Sequence, residues 1–92
     1  MKSTYFGLLA EFDGRANLQL AEVCERYFGL GLSQAKRLAA VQGLPVTVYK
    51  VRDVDKCPYF VSAAELADHI DSQHAKAKKL REAFNSGLRA AG

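Results

Sequence analysis

The sequence predicts a mainly α-helical fold with a small β-ribbon, a helix-turn-helix followed by a wing and then by an extended C-terminal helix. Three observations carry that expectation. An apolar helical stripe over 20–28 is followed, after Gly29-Leu30-Gly31-Leu32, by a second short helical run, SQAKRLAAVQ, at 33–42. Gly43-Leu44-Pro45 breaks that run, and two β-rich segments, VTVYKV at 46–51 and YFV at 59–61, enclose a polar turn. Ser62, with Glu65 three residues on, then opens the longest helical signal in the chain.

The chain has 92 residues, which suits one domain or a small domain with an extension. We divide it into a helix-turn-helix and wing domain over 1–72 and a helical extension over 73–92. Hydrophobic residues make up 49% and charged residues 25%, a balance that favours a packed core over disorder. Cys24 falls on an apolar helix face and Cys57 at a turn; either a staple joins them or both are free thiols of an intracellular protein. The sequence lacks the pattern of a secretory leader and any apolar run of membrane-spanning length. The expected location is therefore cytoplasmic. Net charge is +3, and the excess sits in the middle: 33–61 holds Lys36, Arg37, Lys50, Arg52 and Lys56 against Asp53 and Asp55. A localised positive face suits a partner built on phosphates.

In chain order, Thr4 is a candidate N-cap for a helix to Phe12, with Tyr5, Leu8, Leu9 and Phe12 on one face. Asp13-Gly14 ends it, and 17–20 reads as an extended approach to the next helix. Leu20, Val23, Cys24, Tyr27 and Phe28 form the buried stripe of that helix. Leu32 anchors the entry to the second helix and Ser33 is its candidate N-cap. Ala35, Leu38, Ala39 and Val41 are the expected buried positions, leaving Gln34, Lys36 and Arg37 outside. Gly43 is the expected terminator. In the ribbon, Val46, Val48 and Lys50 alternate with Thr47, Tyr49 and Val51. Over the last helix Leu66, Ile70, Gln73, Ala77, Leu80 and Phe84 follow a heptad spacing, and Ala77, Leu80 and Phe84 are candidate oligomerisation residues.

Chemistry-bearing motifs are missing. The chain has no HExxH, glycine-rich phosphate loop, nucleophile elbow or CxxC pair. His69 and His74 are spaced unlike two ligands on one helix face, and Cys24, Cys57, His69 and Asp71 are scattered. The expectation is no catalytic residue, no metal and no cofactor.

The run GRANLQLAEVCERYFGLGLSQAKRLAAVQGLPVTVYKV, followed by YFVSAAELADHIDSQ, resembles the pyocin activator protein family of small bacterial and phage-borne regulators. The likeness covers about Tyr5 to Gln73 and is strongest in Gly14-Arg15-Ala16, Leu20-Ala21-Glu22-Val23-Cys24, Tyr27-Phe28-Gly29, Leu44-Pro45 and Leu66-Ala67-Asp68. The arrangement also resembles the wider MerR-type and excisionase-type winged helix-turn-helix group. The resemblance implies a sequence-specific DNA-binding regulator that activates bacteriocin or prophage-related genes. It places Ser33, Gln34, Lys36 and Arg37 in the reading helix, and Lys50, Arg52 and Lys56 on or beside the wing. The chain departs from the expected basic, glycine-like wing tip at Asp53-Val54-Asp55 and Cys57-Pro58. The expected partners are double-stranded DNA, a further copy of the chain as homodimer or higher homo-oligomer, and RNA polymerase or another transcription factor. Two other readings use the same fold: an excisionase-like architectural protein that bends DNA, and a phage or host protein-interaction factor.

Overall fold

The computed structural model describes residues 2–91, and within them the side chains of 3–86; Gly92, the end of the predicted extension, lies outside the described residues. Four helices surround a three-stranded antiparallel sheet. In chain order they are α1 (Lys2–Glu11), β1 (Asn17–Gln19), α2 (Leu20–Phe28), α3 (Leu32–Ala40), β2 (Val48–Tyr49), β3 (Phe60–Ser62) and α4 (Ala63–Ala91).

The sheet order is β1-β3-β2. Leu18 pairs with Val61, and Val61 with Val48 on the other side. All three are buried, because partners in register share a face of the pleat. The extended approach at 17–20 is thus an edge strand of the sheet, which becomes three-stranded rather than a two-stranded ribbon. Val46 is buried just before β2, whereas Val51 is exposed beyond its end. Two further bonds clamp the strand junctions: the Leu20 N–H donates to the Tyr59 carbonyl at 2.9 Å and the Ala63 N–H to the Ala16 carbonyl at 2.8 Å. α2 and α4 therefore both start directly from the sheet.

Against the buried sheet face lie Leu20, Val23 and Cys24 of α2, Ala35 and Ala39 of α3, and Ala63, Leu66 and Ala67 of α4. α1 covers the assembly with Leu8 and Phe12 and packs along α4. It begins before Thr4, so Thr4 is not its N-cap; the Thr4 hydroxyl instead donates to Asp71 Oδ1 at 2.6 Å and ties α1 to α4. Glu11 fixes the other end of α1, receiving the Tyr27 hydroxyl at 2.6 Å and Arg26 Nε at 2.8 Å. Partial burial and the Glu11 contact both push the Tyr27 phenol up from its usual pKa.

Local chemistry sets the helix ends. At the start of α2 the Gln19 N–H donates to Glu22 at 3.0 Å, the returning half of a capping box. Arg15 grips the same carboxylate with both terminal nitrogens, at 2.5 and 3.0 Å. Gly29 closes α2 in the left-handed region at φ 66°, and the Gly29 and Leu30 N–H groups satisfy the Glu25 and Cys24 carbonyls. At α3 the N-cap is Gly31, not Ser33, which lies inside the first turn. Its left-handed terminator is Gln42, φ 54°, rather than Gly43. At Gly43 the chain passes close to Leu38: a Cβ there would sit 3.1 Å from Leu38 Cδ2, a tight contact that favours glycine. Val41 points to solvent, 74% exposed, and Leu32 is also exposed, so neither packs as expected. Ser62 caps α4 as predicted, its Oγ accepting the Glu65 N–H at 3.4 Å, while the Glu65 carboxylate takes the Thr47 N–H at 3.1 Å.

Cys24 and Cys57 are both free thiols. Among the described residues no helix is long and apolar enough to cross a membrane. The backbone of α4 runs without interruption past Asn85-Ser86-Gly87 to Ala91, and every described side chain from Ser72 to Ser86 is exposed. The longest dimension of the molecule is 60 Å.

Leu18→Ala is expected to lower unfolding stability by about 2–5 kcal/mol, a large part of what a domain of this size holds; urea titration reads it directly. Arg15 holds the Glu22 carboxyl below its ordinary range, chiefly by hydrogen bonding, against a smaller opposing effect of burial. A depressed folded pKa gives stability that is present above the unfolded carboxylate range and lost as pH falls through the folded value. The urea midpoint of Glu22→Gln should accordingly fall below that of the parent at neutral pH, with the gap closing under acid. A gap that persists in acid would assign Glu22 a role independent of its charge.

Candidate nucleic-acid interface

α3 buries Ala35 and Ala39 against the core and half-buries Leu38. With 100° between successive residues, Ser33 and Arg37 fall near the centre of the opposite face, with Gln34 and Lys36 on its two flanks. All four are exposed. Lys36 borders a groove of about 460 Å³ between α3, the start of α2 and the loop joining β2 to β3. Lys50 and Lys56 line the same groove from the loop side, together with Asp55. The structure therefore brings together three lysines that are separated in sequence, beside the outward face of α3. Arg52 is exposed on the loop and does not line the groove.

The loop is held by its own residues. Lys50 Nζ donates to the Val54 carbonyl at 3.2 Å and lies 4.8 Å from the Tyr59 ring centroid, a cation–π distance. The Val54 N–H donates to Arg52 and the Cys57 N–H to Val54, at 2.9 and 3.1 Å. Lys50 is half-buried by these contacts and shapes the loop as well as charging the groove. Lys36, Arg37, Arg52 and Lys56 take part in none of the ion pairs formed by the described residues. Their charges remain available to an external anion. Asp55 partly offsets Lys36, Lys50 and Lys56 within the groove.

Sequence reasoning did not anticipate that Gln19 and Ala21, at the first turn of α2, or Tyr59, just before β3, would line this groove. The Gln19-to-Glu22 spacing was the available signal for the α2 start. Elsewhere the scattered candidates for a metal have other neighbours. His69 faces the Phe28 ring at 6.3 Å, and Asp71 receives Thr4. No group of three or more His, Cys, Asp or Glu among the described residues is placed to hold a metal ion.

Comparison with known proteins gives one family. The family model described as pyocin activator protein PrtN matches residues 4–77, most of the chain. No curated protein and no solved structure matches it significantly. The matched span takes in the whole sheet, α2, α3 and the half of α4 that packs on the core. The family is one of regulators rather than enzymes, and the chain belongs to it: the pyocin activator protein PrtN family of transcriptional activators of bacteriocin and prophage genes.

Proposed function

We propose that this chain acts as a winged helix-turn-helix regulator, with α3 as its reading helix and the β2–β3 loop as its wing. It binds double-stranded DNA in the bacterial cytoplasm and activates bacteriocin or prophage-related genes. The observation that carries this reading is the meeting of α3's exposed polar face with the three-lysine groove. α3 enters the major groove, where Arg37 pairs with guanine and Gln34 with adenine, as their side-chain forks allow. Ser33 lies beside Arg37 and contacts a base or an adjacent phosphate. Lys36 and Lys56 hold the phosphate backbone along the groove, and Arg52 extends those contacts from the loop. Lys50 keeps the loop folded while adding charge. Activation then follows from recruiting RNA polymerase, or another transcription factor, beside the bound site.

Affinity selection of genomic fragments, followed by sequencing, tests the reading. A recurrent motif is expected, lost in a Lys36→Ala/Arg37→Ala double variant; folded protein that enriches no sequence would refute it. Arg37→Ala should relax preference at one base pair by about 1–3 kcal/mol. Lys56→Ala should weaken cognate and scrambled duplexes alike and lower the salt slope by about one. If Arg37→Ala weakens both duplexes equally, Arg37 is a phosphate contact and not a reader.

A further inference from the structure

We propose that α4 pairs antiparallel with α4 of a second copy, the exposed C-terminal half of each helix lying along the N-terminal half of the other. The pairing is independent of whether α3 reads DNA.

The first ground is the apolar surface that α4 leaves in water. Leu80 is 62% and Phe84 67% exposed, beyond the part of the helix that packs on the core. With His69, Gln73 and Ala77 they form one continuous stripe, at steps of three and four residues. A helix carrying such a stripe is marginal alone and is stabilised by covering it.

The second ground is the seat to which that stripe leads. His69 and Gln73 line an open cleft together with Phe28, Leu30, Leu44 and Pro45. Past Pro45 and His69 the surface continues into a smaller depression bordered by Glu65 and Asp68. The seat is therefore apolar with an acidic edge. The C-terminal half of α4 is its complement: Leu80 and Phe84 on one face, with Lys76 and Lys79 beside them.

The third ground, charge, selects both the partner and the direction. Residues 63–73 present Glu65 and Asp68 beside the seat, Asp71 being held by Thr4 of α1, and carry no Lys or Arg. Residues 74–84 carry Lys76, Lys78, Lys79 and Arg81 against Glu82 alone. A parallel pair would set acid on acid and base on base. An antiparallel pair sets each acidic half against a basic one, and a two-fold axis forms every such contact twice.

Sedimentation equilibrium of the full chain tests association, and a dimer mass is expected. Leu80→Asp or Phe84→Asp should reduce it to the mass of one copy with unchanged far-ultraviolet circular dichroism. Asp68→Lys and Lys79→Glu should each weaken association about tenfold, the scale of a lost rim charge pair turned repulsive, and their combination should recover most of the loss. Direction is read with spin labels at Ser86→Cys in a Cys57→Ser background: antiparallel helices crossing near residue 75 place the labels about 30 Å apart, whereas parallel helices leave them about 10 Å apart. One-copy mass at all concentrations, close labels, or charge reversals that do not compensate would each overturn the pairing. So would tail variants that weaken duplex binding while leaving the mass unchanged, since the basic half of α4 would then serve DNA.

Discussion

The row Leu18–Val61–Val48 is the constraint on which the other elements depend. It joins three strands far apart in the chain, and each strand end is a helix start or the root of a loop. Gln19 passes directly into α2, Ser62 directly into α4, and Tyr49 leads into the loop that bears Lys50 and Lys56. Because strand partners point to the same face, burying this row aims those elements in one step. A one-residue slip of β3 would turn Val61 outward and place Phe60 in the core. It would also break the Tyr59 and Ala63 backbone bonds that fix the origins of α2 and α4. The lysine groove is thus positioned by apolar side chains that touch no part of it.

Much of this was legible in the sequence, and the parts that were not share a cause. The stripe over 20–28, the break after 42 and the Ser62 cap are local signals, and they correspond to α2, the end of α3 and the start of α4. β1 was visible only as an extended approach because Asn17–Gln19 is three residues long and gains its identity from pairing with β3, more than forty positions away. Ser33 misled because a hydroxyl residue before an apolar run resembles an N-cap. The turn out of α2 closes earlier than that reading required, and Gly31 in extended geometry takes the position instead. Gly43 misled for a related reason: its missing Cβ makes room for Leu38, while Gln42 adopts the left-handed turn. At the candidate site, sequence identified the basic residues but not their grouping. That Lys36, Lys50 and Lys56 share a groove while Arg52 stands apart depends on how the loop folds over Tyr59.

The charges of the molecule fall into two groups. Arg15 and Arg26 are engaged with Glu22 and Glu11, in contacts that secure α2 to its surroundings. Exposed ion pairs of this kind add little stability singly. Here each carboxylate also accepts a second hydrogen bond, from the Gln19 N–H or the Tyr27 hydroxyl, so each pair fixes an orientation. The basic residues of α3 and the loop make no such pairs among the described residues. That difference separates the cations engaged within the fold from those without an ion pair among the described residues.

The helix starts repeat this division. α2 has Glu22 in its first turn, accepting an N–H, and α4 has Glu65 in its first turn with Ser62 as cap. α3 has no acidic residue in its first turn and no side-chain cap; its N-cap is a glycine. Unsatisfied N–H groups and the positive end of the helix dipole favour an anion at such a terminus. Under the proposed reading that anion is a DNA phosphate beside the first turn, with Lys36 on one flank and Ser33 and Arg37 facing outward. A cap at Ser33 would have consumed the hydroxyl in a bond to the backbone of the first turn. With Gly31 at the cap, Ser33 and Gln34 stand in the first turn, where a helix end directed into a major groove brings them to the base edges.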